Sequence, residues 1–521
     1  MMTRLSVGAA PHLPAGILYP YSDGERGAVI ADFANHQRRK KSASVAARPL
    51  LPVTIRGEVP GSAMRGGADL GDRGPDAIAH RRIAVLHALA TLFLGIFFLI
   101  LPALAAHAMD IQPVTSSKGV NAWLVEDHSI PIIAIRFVFD GGSTQDPAGR
   151  EGLVNLMTGL FDEGAGNLDS EAFQIKLDDA GAEMGFEAAR DGTYGAMRML
   201  AEQKDAAFDL LRLAVTSPRF DQAPIDRIRA QILSGIIASE RDPNTVAQTK
   251  WLRAIYGEHP YSRPDQGTKD SIATITAADL AAFHKANFAR SGLHVAVVGD
   301  IDAATLKRKL DEVFGDLPEK QVLQPVADTE LKLGQQLEVD YDLPQTSLQF
   351  AYPGVKRDAP DFFPAVLMNQ ILGGGTFTSR LYDEVREKRG LVYSVDSNLV
   401  DHQHSNALII TTATRSDRAA ETLGIVKEVV KKMAEEGPTE AELDATKKYM
   451  VGSYAISNLD SSSAIAATLV ELQLDNLGID YVQRRAALIN GVTLDQVKAA
   501  AKKLLTPAPA IMSIGPKLEG K

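Results

Sequence analysis

The sequence predicts an α+β protein built from two similar α/β halves, each a mixed or antiparallel sheet with helices on one face. The first reason is a repeat near the end of each half. Ile275-Thr276-Ala277-Ala278-Asp279-Leu280, a Thr N-cap with an acidic residue three positions on, precedes an apolar strand Leu293 to Val298 and Gly299-Asp300. Val492-Thr493-Leu494-Asp495-Gln496-Val497 likewise precedes Ala510 to Ile514 and Gly515-Pro516, and Thr to closing Gly spans 23 residues in the first case and 22 in the second. The second reason is that the openings agree: strand Ile132 to Val138, turn and helix in one half, and strand Ser347 to Tyr352, turn and helix Phe362 to Leu372 in the other. The third is order. Strands come early in each half and long helices late, as in Asp417 to Glu436, Thr439 to Ser457 and Ser461 to Leu474, which suits helices gathered on a mixed sheet and not a doubly wound nucleotide fold.

Taken from its beginning, the 521-residue chain suits an N-terminal processing region followed by two domains. Residues 1–80 are rich in Gly, Pro, Ala and Arg without sustained periodicity. They read as disordered or as an over-extended start, with Met64 the alternative initiator. Arg81-Arg82, the apolar run Ile83 to Leu101, Pro102 and an Ala106-His107-Ala108 box make residues 81–108 a signal peptide, so the mature chain is expected to begin near Met109. Export follows, to the periplasm in a Gram-negative cell. The competing reading is a membrane anchor over residues 83–104. Residues 115–318 and 336–518 form the two halves, joined by the charged, Pro-containing stretch 319–335. With no cysteine, the fold must hold by core packing. A net charge of −10 with both signs interspersed argues against a nucleic-acid partner.

In the first half, Gly149 to Ala165 follows the polar turn Gly141 to Pro147 and reads as an apolar helix. Positions 155, 158 and 159 share one face of it. They are Asn155, Thr158 and Gly159: an amide far weaker than imidazole, a poor neutral hydroxyl, and no side chain at all, from which no tetrahedral metal site can be built. This Gly-Leu frame resembles the zinc helix of the insulinase and pitrilysin-type peptidases, the inverted zincins, which carry H-x-x-E-H there. The resemblance places the lost ligands and base at Asn155, Thr158 and Gly159. It places the remaining glutamate ligand on the helix Ile225 to Glu240 at Gly235, 76 residues beyond Gly159. No metal or other cofactor is therefore expected in this chain. Glu258-His259-Pro260-Tyr261, followed by Gln266-Gly267-Thr268, is similar to a further segment of the family. His259 itself reads as a loop histidine beside a turn proline, and His402-Gln403-His404 as a solvated pair in a polar loop.

The second half carries the positive signal. Gly373 to Val395 reads Gly-Gly-Gly-Thr-Phe-Thr-Ser-Arg-Leu-Tyr-Asp-Glu-Val-Arg-Glu-Lys-Arg-Gly-Leu-Val-Tyr-Ser-Val, similar to the family segment that holds substrate through an Arg and a Tyr seven residues apart. By motif position these are Arg386 and Tyr393. A guanidinium can donate to peptide carbonyls, and a phenol to the oxyanion that forms on hydrolysis. From the residues alone, Arg386 reads as part of a solvated helix end with salt bridges, and Tyr393 as an ordinary sheet residue. Gly373, Gly374 and Gly375 read equally as a substrate-contacting loop or as the stop of the preceding helix. They are not a phosphate loop, since they follow a helix and lack the Lys-Ser/Thr.

The resemblance implies paired halves that form half of a clamshell around a peptide, two such chains making one chamber in the smaller members. The expected role is a zinc-free subunit of a two-chain metallopeptidase. Arg386, Tyr393 and chamber wall would come from this chain, and zinc from a partner homologue with an intact motif. The alternative is a structural or peptide-binding protein of the same fold. An independent enzyme with a relocated metal site is disfavoured by the absence of Cys and of a convincing His spacing.

Overall fold

The computed structural model describes residues 109–375 and 377–518. The readings of residues 1–80 and 81–108 lie outside the described residues. Among those that are described, no helix is long and apolar enough to cross a membrane.

The first half contains strands β1 (Gln112–Thr115), β2 (Asn121–Glu126) and β3 (Ile132–Asp140), a small two-stranded ribbon of β4 (Gly164–Ala165) and β5 (Leu168–Asp169), then β6 (Glu183–Ala188), β7 (Gly192–Leu200) and β8 (Leu293–Gly299). Its six-stranded sheet has the order β1-β2-β8-β3-β7-β6. The second half contains β9 (Gln336–Asp340), β10 (Gln345–Pro353), β11 (Val392–His402), β12 (Ser405–Arg415) and β13 (Ala510–Gly515), in the order β11-β12-β10-β13-β9. Read from opposite edges the two sheets match strand for strand. β2, β8, β3, β7 and β6 correspond to β9, β13, β10, β12 and β11, and only β1 is extra. In each half the first of these strands pairs parallel with the last, β2 with β8 and β9 with β13, while every other neighbour is antiparallel. The repeat seen at the level of caps therefore extends through the whole topology. Both capping boxes form: Thr276 with Asp279, and Thr493 with Gln496.

The central strands are buried along nearly their whole length. In β3 only Ile132, Arg136 and Asp140 are partly exposed, and every residue of β13 is buried. A strand buried on alternate and intervening residues needs cover on both faces. One face of each sheet carries helices of its own half. The other is covered by a helix from the opposite half. Pro243–Tyr256 packs against β13 and β9, and Ser462–Leu474 packs against β8 and β3. The two exchanged helices occupy equivalent places in the repeat. Trp251, Ile255 and Tyr256 of the first join Val339, Ala351, Met512 and Ile514 in one apolar cluster. The second helix has Ala466, Thr468, Leu469, Val470, Glu471 and Leu472 all buried, its polar residues Thr468 and Glu471 included, as suits a helix enclosed on several sides. Gln473 near its end donates through Nε2 to the carbonyl of Val295 at 2.9 Å.

The stretch 318–334 has no regular structure, yet it is tied down along its length. Val322 N–H donates to Ala286 O at 2.8 Å, and Gln321 Nε2 to Asp140 O at 2.9 Å. Further on, Thr329 N–H donates to His404 O at 2.8 Å and Lys332 N–H to Ile255 O at 2.9 Å. A strap of this kind fixes the two halves against each other.

Candidate functional site

Regular helix in the first-half motif is confined to Leu153–Thr158, shorter than the apolar run suggested, because Gly159 closes it and the chain turns through Glu163. The helix enters through Gly152, at φ 87°, where an added Cβ would lie 2.5 Å from Gln266 O, so only glycine fits. Its first amides are satisfied from outside. The buried carboxylate of Asp146 accepts from Gly152 N–H at 2.7 Å and Val154 N–H at 3.0 Å, replacing a side-chain N-cap. Burial pushes the Asp146 carboxyl up to about 7 despite these two donors.

At the helix end the metal-ligand positions offer a zinc ion no strong donor, Asn155 supplying only an amide. Thr158 is buried and spends its Oγ1–H on Asn155 O at 3.0 Å. Gly159 is packed against the helix Gln222–Ser239 so closely that an added Cβ would sit 3.0 Å from Ile228 Cγ2. Gly235, two turns further along that helix, is exposed, and nothing lies within 4 Å of where its Cβ would be. The residues do not fit a zinc ion. Beyond the missing donors, the Ile228 methyl group crowds the place where a side chain at 159 would start.

The second-half segment divides into anchors and exposed groups. The helix Phe362–Asn369 continues as a π-helical turn over Gln370–Gly374. Gly373 is buried there, and an added Cβ would lie 2.6 Å from Ser397 Oγ and 2.7 Å from Ser397 N of β11. This glycine is a close-packed helix end. Gly375 is also buried, and its carbonyl accepts the N–H of Thr378 and of Ser379 at 2.9 and 2.8 Å. Ser379 and Leu381 are buried. Arg380 forks onto Glu442, Nε to Oε1 at 2.7 Å and Nη2 to Oε2 at 2.8 Å. That guanidinium, foremost among its partners, holds the Glu442 carboxyl at about 2.

Arg386 and Tyr393 are brought together. Arg386 lies in a second π-helical turn, Tyr382–Glu387, and Gly390 at φ 59° reverses the chain into β11. A register shift between Val392 and Val395 marks a bulge that re-aims the side chains beside it. The Arg386 guanidinium carbon lies 4.7 Å from the centre of the Tyr382 ring and 5.5 Å from that of Tyr393. Tyr393 is 86 % exposed. The surrounding charges pair among themselves: Arg386 with Glu387, Lys388 with Asp383 and Glu384, Arg389 with Glu384. The expected salt-bridged helix end is therefore present, with the Arg–Tyr pair standing in it.

The histidines of the two loops meet at the junction of the halves. His259 donates or accepts at both ring nitrogens: Nε2 lies 2.9 Å from Ala327 O, and Nδ1 accepts from Tyr261 N–H at 3.2 Å. The carbonyl partner fixes the proton on Nε2, so the ring is a neutral spacer. Desolvation lowers its pKa. His404 Nδ1 lies 3.2 Å from Asp328, and the His402 ring stands 5.2 Å from that of Tyr261. Among the described residues no group of three or more His, Cys, Asp or Glu is arranged to hold a metal. The residue missed from the sequence is Asp191, in the β6–β7 turn. Its Oδ2 accepts Tyr261 O–H at 2.6 Å and the N–H of Gln403, in the equivalent β11–β12 turn, at 3.2 Å. No local signal distinguishes this aspartate from other turn acids.

Comparison with known proteins agrees with the two-half architecture. Residues 122–269 match the model of the insulinase family, peptidase family M16, and residues 274–450 that of the peptidase M16 inactive domain. The chain is similar to a "non-peptidase homolog YmxG" of Helicobacter pylori, 28 % identical over 73 % of this chain and 87 % of the relative. It is also similar to an "uncharacterized zinc protease" of Mycobacterium leprae, 27 % identical over 72 % and 85 %. Among solved structures, the peptidase M16 inactive domain from Pseudomonas fluorescens superposes with a TM-score of 0.74 at 31 % identity, covering 79 % of this chain and 99 % of that one.

Proposed function

This chain belongs to the insulinase family, peptidase family M16, and from that premise we propose that it is the zinc-free subunit of a two-chain metallopeptidase. A homologous partner with an intact H-x-x-E-H helix would hold the zinc, which supplies the activated water. The observation that carries the reading is the asymmetry within one fold. The metal-ligand positions of the first half are stripped of their donors and one of them, Gly159, is crowded by Ile228, while the second half keeps Arg386 seated against the ring of a solvent-facing Tyr393. Arg386 donates N–H groups to a backbone carbonyl of the bound peptide and fixes its register. Tyr393 donates a hydrogen bond from its phenolic O–H to the carbonyl oxygen as negative charge gathers on it. Neither residue can hydrolyse an amide unaided.

The test is to mix the purified chain with an H-x-x-E-H homologue from the same source and to measure peptidase activity and bound zinc in each component and in the mixture. Activity only in the mixture, with zinc only in the partner, is expected. Tyr393→Phe should lower kcat of the mixture by about 100-fold, the scale of removing one oxyanion donor. Arg386→Ala should chiefly raise KM. A mixture indifferent to both substitutions would remove the catalytic contribution. The second reading, a peptide-binding protein with no part in catalysis, draws support from the similarity to the non-peptidase homolog of Helicobacter pylori. It expects no proteolysis in any pairing.

A further inference from the structure

The Arg386–Tyr393 pair is one end of a longer stack. Phe377 stands at the tip of the turn that Thr378 and Ser379 close onto Gly375 O. It is 74 % exposed, although such a tip ordinarily carries a polar residue or glycine. Its ring meets that of Tyr382 edge-on, with centroids 5.3 Å apart and planes at 87°. Tyr382 is buried, and its ring lies in turn against Arg386. The order is thus Phe377, Tyr382, Arg386, Tyr393: an exposed ring at each end, a buried ring and a guanidinium between. The foundation is firm, because Gly373 is packed onto Ser397 of β11 and Arg380 is forked onto Glu442.

Charge offers little discrimination here. Asp383, Glu384 and Glu387 balance Arg386, Lys388 and Arg389 in the ion pairs already described. What remains solvent-facing and unmatched is the aromatic surface of Phe377 and Tyr393, joined beneath by the buried Tyr382 ring and the Arg386 guanidinium.

We propose that Phe377 is a specificity-determining residue that receives an aromatic or large aliphatic side chain of an extended peptide whose backbone is held by Arg386. The inference rests on the peptide-holding role of Arg386 given above. Two ring contacts separate Phe377 from Arg386, a span of about two to three residues of extended chain. The favoured apolar side chain therefore lies two or three residues from the carbonyl that Arg386 holds. Tyr382 is a positioning residue, setting Phe377 and Arg386 at a fixed spacing.

The experiment is fluorescence anisotropy with the purified full chain and two labelled, otherwise identical extended peptides carrying Phe or Ser at the discriminating position. The wild type is expected to bind the Phe peptide about tenfold more tightly than the Ser peptide. Phe377→Ser should abolish that ratio while leaving affinity for the Ser peptide unchanged, and Phe377→Trp should keep it. Arg386→Ala should weaken both peptides by the same factor. If Arg386→Ala weakens both and Phe377→Ser leaves the ratio intact, the specificity proposal alone is overturned. If Arg386→Ala changes neither, or the wild type binds neither peptide, the underlying reading falls with it. An unchanged melting temperature in Phe377→Ser confirms that the comparison is between folded proteins.

Discussion

Reinstalling the zinc ligands tests the claim that the first-half site is closed as well as stripped. The quadruple substitution Asn155→His, Thr158→Glu, Gly159→His and Gly235→Glu restores every donor the family motif calls for. Its weak point is Gly159. A Cβ there would lie 3.0 Å from Ile228 Cγ2, inside ordinary van der Waals contact, so Ile228 or the helix Gln222–Ser239 has to give way. Overpacking of this kind costs about 1–3 kcal/mol, a fall of roughly 1–4 °C in Tm for a folding unit of this size. Position 235 differs, since its Cβ would meet nothing within 4 Å, and Gly235→Glu alone should stabilise the exposed helix by up to about 1 kcal/mol. Adding Ile228→Ala to the quadruple variant opens the crowded position. The expected result is weak zinc binding and a lowered metal-free Tm in the quadruple variant, then at least tenfold tighter zinc and recovery of the Tm once Ile228 is trimmed. Elemental analysis after dialysis and competition with a chromophoric chelator provide the affinities. Equal zinc affinity with Ile228 intact or trimmed, at an unaltered metal-free Tm, would refute the closure argument.

Two further outcomes follow from the junction of the halves. His259 is neutral in the fold, with Nε2–H on Ala327 O and Nδ1 accepting from Tyr261 N–H, and desolvation puts its pKa below the ordinary value of 6.5. Its stabilising contribution is therefore present above pH 6.5 and lost as pH falls from there through the folded value. Thermal melts at pH 8 and pH 5.5 should show His259→Gln with a smaller loss on acidification than the wild type, and an identical loss in both would exclude His259 as a source. Trp251 is 1 % exposed against the back of the second sheet. Trp251→Ala should cost about 3–5 kcal/mol, lowering the denaturant midpoint as one cooperative transition. A second transition confined to one half would show that the exchanged helix does not couple them.

What could be read from the sequence was whatever is local. The capping boxes at Thr276 and Thr493 are decided within four residues, so they are visible without knowledge of the fold, and their spacing to Gly299 and Gly515 exposed the repeat. The exchange of helices was not legible. An apolar stretch such as Ser462–Leu474 announces that it is enclosed, but periodicity cannot say by which sheet. Arg386 and Tyr393 were identified by resemblance to a family segment. Their contact depends on a reversal at Gly390 and on a bulge after Val392, which place a helix-end guanidinium beneath a strand residue. Asp191 carried no signal because its partners, Tyr261 and Gln403, lie 70 and 212 residues away.

The exchange also bears on how a peptide could be admitted. Each half lends a helix to the back of the other's sheet, the 318–334 strap is bonded to both, and the Asp191 carboxylate joins a turn of one half to a turn of the other. Separating the halves would expose Trp251, Ile255 and Met512 together with the buried faces of β8 and β13. Burial of one such large apolar side chain is worth about 1.5–3 kcal/mol, so unpacking several at once approaches the 5–15 kcal/mol by which a typical domain is stable at all. Opening within this chain would then be close to unfolding it. On the two-chain reading proposed above, a chamber built from it would have to open at its boundary with another chain, and Arg386 and Tyr393, the residues proposed to hold the peptide, would have to face that boundary.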